Sequence, residues 1–149
     1  MSSVARRYFV RATELMRRGD HEQARDEFRA ALELAPMYVE ARVSYAHAIA
    51  RGGDGARAAQ LVRAGLGRPG LRDPERLLLL RALGDVLIAS GTAADYRAAE
   101  EAYNDGARLG EAIGQPQIDL HDRLARLRAK PGRFAEAIEE LLAAARTTR

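Results

Sequence analysis

The sequence has no cysteine, and Lys130 is the sole lysine among 24 basic residues. Without cysteine there is no disulfide, no thiolate nucleophile and no sulfur-ligated metal site. Long apolar runs are missing too. Leu77–Leu80 is a run of four leucines, far short of the roughly 20 residues a membrane-spanning helix needs. The opening MSSVARRYFVR lacks the apolar stretch of a secretory signal. A strong charge of one sign is also absent. The 24 basic and 21 acidic residues leave a formal charge of +3, and the pI of 9.7 reflects arginine chemistry on a nearly balanced chain. This is too mild to predict nucleic-acid or membrane binding. The expected setting is cytoplasmic, either as a free protein or as a soluble part of something larger. With 149 residues, 47% of them apolar, the chain suits one domain with a sizeable core.

What the chain does have is a repeat. Gly19, Ala24, Phe28 and Ala31 lie 34 positions before Gly53, Ala58, Val62 and Gly65, and Ala12 and Leu15 lie 34 before Ala46 and Ile49. Small residues fall on small ones and apolar on apolar. Each unit reads as two helices around a glycine turn. Tyr8, Ala12 and Leu15 share one helical face, and Gly19 suits the left-handed residue that ends a helix. Asp20 is positioned to N-cap the next helix, with Gln23 completing a capping-box-like pair. Ala24, Phe28, Ala31 and Leu32 form the buried stripe of that helix, and Pro36 closes it. The cluster Asp20, His21, Glu22, Asp26 and Glu27 therefore reads as a solvated helix face with its cap, and not as a metal or acid/base site.

These residues resemble the tetratricopeptide repeat family, in which helix A carries a large aromatic, a Leu-Gly pair and a Tyr, and helix B carries Ala, a large apolar residue and Ala before Pro. Tyr8, Ala12, Leu15, Ala24, Phe28, Ala31 and Pro36 follow that order, with Arg11 where Leu is usual. The second unit supplies Ala46, Ile49, Gly53, Ala58, Val62 and Gly65, with Arg42 at the aromatic position and Pro69 one place early. The third supplies Leu80, Leu83, Gly84, Leu87 and Gly91, then Ala99, Tyr103 and Gly106 after three extra residues, Thr92–Ala94. The fourth has Leu124 and Ala125, then Gly132, Phe134, Ala137, Leu141 and Ala144. The resemblance implies one all-α domain over 1–149, a right-handed superhelical solenoid of about eight antiparallel helices, with repeats at approximately 5–38, 39–72, 73–113 and 114–149. The expected helices are 5–17, 21–34, 39–51, 55–67, 74–90, 95–112, 117–129 and 133–147.

A lone hairpin cannot cover both sides of its apolar stripe, so its neighbours must. Small residues at Ala12, Ala46, Gly84 and Ala125 let helices approach, and large ones at Phe28, Val62, Tyr103 and Leu141 fill the layers between them. Asp73 is expected to cap a helix with Pro74 in its first position. Gly106, Gly110 and Gly114 share a face of the sixth helix, as close-packing sites or as a dimer seam, the former being favoured.

Nothing points to catalysis. His21, His47 and His121 occupy different repeat positions, and the Asp119, His121, Asp122 group is a weak metal signal on a helical turn. The segment GLGRPG at 65–70 lacks the lysine and hydroxyl residue of a phosphate loop. No serine has a nucleophile-elbow context. No cofactor and no metal are expected.

In the resembled family the A helices line a concave groove that receives partner peptides. By position, that lining is Arg6, Phe9, Val10, Thr13, Met16 and Arg17 in the first unit, then Glu40, Val43, Ser44, His47 and Arg51 in the second. The third gives Leu78, Arg81, Ala82, Asp85 and Ile88, and the fourth Asp122, Arg123, Arg126 and Lys130. Phe9, Val10, Met16 and Val43 lie off the core stripe and suit a partner's apolar anchor, while the arginines suit its carboxylates. Chaperone-binding members use Lys and Asn to clamp a terminal carboxylate. Here Phe9, Thr13 and Ser44 stand there, so that ligand is not expected.

The expected partner is another protein, a peptide or helix with apolar anchors and acidic flanks, held by a non-catalytic adaptor. One alternative is homodimerisation through the last helix, where Ile138, Leu142 and Ala145 have no further helix to cap them. Another is an RNA-binding helical repeat, which needs stacking aromatics and a basic track. Phe9 is the groove's one aromatic, and residues 71–110 carry five arginines against seven acids, so nucleic acid is not expected.

Overall fold

A computed structural model describes residues 2–129 together with 142, 145 and 146. The described chain is all-α, with helices α1 (Ser3–Arg18), α2 (His21–Leu34), α3 (Val39–Arg51), α4 (Gly55–Leu66), α5 (Asp73–Ser90), α6 (Ala93–Ala112) and α7 (Ile118–Arg128). Apart from residues 142, 145 and 146, the expected helix 133–147, Ile138 included, lies outside the described residues. Leu142 and Ala145 are exposed. No described helix is long and apolar enough to cross a membrane.

The helices pair as consecutive hairpins, α1 on α2, α3 on α4 and α5 on α6, and each hairpin packs on the next through α2–α3, α4–α5 and α6–α7. The odd-numbered helices also touch one another, α1 on α3 and α3 on α5. This stack is a helical-repeat solenoid with the odd helices along one wall. Gly19 ends α1 in the left-handed region at φ 87°. Its N–H bonds to Met16 O at 3.1 Å, and the N–H of Asp20 reaches Leu15 O at 2.9 Å, which satisfies the last carbonyls of the helix.

Three details of the helix ends differ from the sequence reading. Asp20 occupies the cap position of α2, but its side chain makes no capping bond; its backbone carbonyl receives Ala24 N–H instead. Helix α5 begins at Asp73 rather than after it, and Glu75 Oε1 accepts the N–H of Arg72 at 3.1 Å. The extra residues Thr92–Ala94 do not enlarge the turn. The Thr92 hydroxyl accepts Asp95 N–H at 3.1 Å, so α6 starts at Ala93 and absorbs the insertion as additional helix.

The core follows the repeat. Ala12, Ala24, Ala31, Ala46, Ala58 and Val62 have no exposed surface, Phe28 has 2% and Tyr103 has 1%. Gly84 lies against the face of Tyr103, where a Cβ would come within 2.7 Å of Cζ. Gly106 and Gly110 serve close packing inside the chain, Gly106 against Leu120 and Gly110 against the Gln115–Gln117 turn. The fourth unit is registered differently from expectation. Ala125 is exposed, and Leu120, Leu124 and Leu127 carry the buried stripe of α7. Arg42 behaves as the aromatic it replaces. It is buried, its aliphatic stem lies against Gly65, and its guanidinium donates to Leu61 O at 3.0 Å and Pro36 O at 3.1 Å.

Candidate partner-binding cleft

The wall of odd-numbered helices holds a cleft of about 450 Å³. Thr13 and Met16 come from α1, Ser44, His47, Ala50 and Arg51 from α3, and Asp85, Val86 and Ala89 from α5, with Phe28 of α2 at the floor. The i, i+3, i+7 spacing of Ser44, His47 and Arg51 puts them on one face of α3, opposite the face that carries Arg42, Tyr45 and Ile49. Six residues that the sequence places in the groove thus meet here: Thr13, Met16, Ser44, His47, Arg51 and Asp85. Asp85 also lines an adjoining depression with Ile88, Tyr103, Arg123, Arg126 and Leu127.

Other expected groove residues lie elsewhere or are already engaged. Phe9 is half-buried, its ring 6.0 Å from that of Phe28 and 5.2 Å from that of Tyr38, so it bridges two parts of the core. Val43 is half-buried and packs on the same core. Ala82 is buried outright. Arg6 and Val10 line a separate shallow surface with Ser3, Arg7 and Arg11, all from α1.

The charges are arranged mostly in pairs within the chain. Asp85 accepts the Tyr103 hydroxyl and both oxygens face Arg123, with Nη1 to Oδ2 at 2.6 Å. Burial first, and then this carboxylate, push the Tyr103 hydroxyl well above its ordinary pKa. Arg81 pairs with Asp119, which also lies 3.8 Å from Arg123. Helices α5 and α7 are thereby tied together by side chains. Arg17 is bidentate on Glu14, at 2.9 and 2.5 Å, and holds the Glu14 carboxyl down to about 2. Among the described residues Arg51 and Arg126 form no ion pair, so they are the cationic groups of these two depressions left for an incoming acid.

His47 sits between these elements. Burial lowers its pKa first, the charges of Arg123 and Arg51 add to that, and Asp85 opposes them. The unfolded chain, with a histidine near 6.5, takes up the proton before the folded one. Stability from this group is complete above about pH 6.5 and declines as pH falls below it. A His47→Gln variant is expected to show a flatter fall of urea-unfolding stability below that pH than the parent; parallel curves would contradict the environment described.

Of the residues lining the cleft, sequence reasoning did not assign Ala50, Val86 and Ala89 to it and gave Phe28 a core role alone. Ala89 had a signal: it precedes Gly91 by two, as Arg51 precedes Gly53.

The tetratricopeptide repeat model matches residues 5–38, the stretch from α1 through the turn after α2. Among solved structures, the crystal structure of the Sgt2 TPR domain from Aspergillus fumigatus has a TM-score of 0.71 at 20% sequence identity, over 95% of this chain and 83% of that one. No curated protein matches the sequence. At that identity the structural likeness is one of fold. The first hairpin is thus similar to a tetratricopeptide repeat, and the chain has the fold of a tetratricopeptide-repeat domain.

Proposed function

We propose that the protein is a non-catalytic adaptor that holds a segment of another protein in the cleft between α1, α3 and α5. Domains of this fold generally mediate protein–protein interaction, and the observation that supports this particular surface is its lining. Met16, Ala50, Val86 and Ala89 provide apolar wall, Thr13 and Ser44 provide hydroxyls, and Arg51 is exposed with no ion pair among the described residues. A hydrophobic side chain of a partner fits the apolar part, where hot-spot energy concentrates, and a neighbouring carboxylate fits Arg51. The partner is a peptide or helix with apolar anchors and acidic flanks, and Arg126 extends the acidic preference toward α7.

The test begins with peptides selected on the purified chain from a random display library. A variant carrying Thr13→Glu and Ala89→Glu changes two exposed positions of the cleft and is expected to keep the parent circular dichroism and melting temperature. It should weaken the selected peptides about tenfold or more, equivalent to about 1.4 kcal/mol or above. Equal affinity for both proteins would defeat the proposal.

A further inference from the structure

A second cleft, of about 550 Å³, opens on the other face of α3, between α2 and α4. Its apolar part includes Leu32, Tyr45, Ile49 and Leu61, and its charged part is Arg29, Arg42, Arg57 and Arg68 against one acid, Glu33. The protein partners of these arginines are uneven. Arg29 donates to Tyr45 Oη at 3.2 Å and lies 3.7 Å from Asp26. Arg68 reaches the Met37 sulfur at 3.4 Å. Among the described residues, Arg42, Arg57 and Arg68 have no ion pair.

Arg42 is the informative member, because only 5% of it is exposed. A buried charge is costly unless an opposite charge and hydrogen bonds accompany it. Arg42 has the hydrogen bonds, to the Leu61 and Pro36 carbonyls, and among the described residues it lacks the opposite charge. Those two bonds leave three of its five donor N–H groups for other acceptors, and they fix the guanidinium in place, so little ordering is left for a ligand to impose. The proximity of Arg68 opposes the charge on Arg42 further. An anion entering between them relieves both the repulsion and the missing counter-charge.

We propose that this cleft binds a small organic anion, with an oxyanion head among Arg42, Arg57 and Arg68 and an apolar body against Tyr45, Ile49 and Leu61. The volume falls in the range of small-molecule pockets, about 300–1,000 Å³, and the combination of apolar walls with a few fixed polar groups is typical of them. Guanidinium forks match the two-oxygen face of a carboxylate or phosphate. The site is independent of the partner cleft, since the two use opposite faces of α3.

Titration of the full chain with phenyl phosphate, benzoate and uncharged phenol, followed by calorimetry and amide spectra, tests this. Phenyl phosphate, benzoate or both should bind saturably and shift Arg42, Tyr45 and Leu61, while phenol should not bind; which of the two anions is tighter identifies the head. Arg57→Gln with Arg68→Gln alters the rim without touching the buried guanidinium. It should keep the melting temperature and weaken binding about tenfold or more, the loss expected for a charge-assisted hydrogen bond. Arg42→Met is expected to abolish binding, and the rim variant decides the matter if that protein fails to fold. Absence of binding by both anions at about 1 mM, the weak end of the affinity scale, would overturn the proposal. So would affinity unchanged in the rim variant, or shifts confined to Thr13, Ser44 and Ala89.

Discussion

Replacing Phe28 with alanine is expected to cost about 3–5 kcal/mol of unfolding free energy, a large share of what a domain of this size possesses. Phe28 is the largest of the buried side chains of α2, beside Ala24 and Ala31. It is 2% exposed, its ring meets Phe9 at 6.0 Å, and it belongs to the buried cluster that runs from α1 to α7. Removal takes away the transfer energy of the ring and leaves a hole lined by helices that cannot close without shifting the stack. Urea unfolding followed by circular dichroism measures the loss. Because Phe28 also floors the partner cleft, the folded fraction of this variant should bind selected peptides more weakly. A midpoint equal to that of the parent would show that the hairpins are not packed in this register.

Gly84→Ala is the second large effect, and its sign is opposite to what helix propensity alone gives. In the interior of an exposed helix, alanine is favoured over glycine by about 1 kcal/mol. Here a Cβ would come 2.6 Å from Tyr103 Cδ1 and 2.7 Å from Cζ. The ring cannot retreat freely, since it is 1% exposed and its hydroxyl is held by Asp85. Overpacking of this kind costs about 1–3 kcal/mol beyond any local gain, so α5 and α6 are pushed apart and the protein is destabilised. The double variant Gly84→Ala, Tyr103→Leu should recover part of the loss relative to the sum of the singles, because the two positions touch. Strict additivity, or a stabilised single variant, would contradict the close approach.

Much of the fold was legible because glycine and helical periodicity mark it together. Gly19 and Gly53 punctuate hairpins whose apolar positions repeat at a fixed spacing, and every described helix falls near its expected bounds. The fourth unit was misregistered at Ala125. Insertions move its spacing away from the earlier units, and the stripe Leu120, Leu124, Leu127 was the better local guide. Within the cleft, helix-A positions led to Thr13, Met16, Ser44, His47, Arg51 and Asp85. Phe9 shares their position class, yet Tyr38 from the α2–α3 turn folds onto its ring, a contact set by loop geometry that no periodicity contains. The pairs Arg81–Asp119 and Arg123–Asp85 were illegible for a similar reason. Each joins residues 38 apart, and only the docking of α7 brings them together. Three of the six arginines expected to be free for a partner, Arg17, Arg81 and Arg123, are paired within the chain, which leaves Arg51 and Arg126 for that role in the two depressions. Arg42 departs from the aromatic position in the sequence, but that the departure buries a charge is visible only in the packed structure, where it is 5% exposed and bonded to two carbonyls.

The most direct measurement is an amide shift map of the isotope-labelled chain titrated with a library-selected peptide. Binding in the cleft predicts the largest changes at Thr13, Ser44, His47, Ala50 and Ala89, on the facing sides of α1, α3 and α5. Changes confined to α2, α4 and α6, with that wall undisturbed, would contradict it.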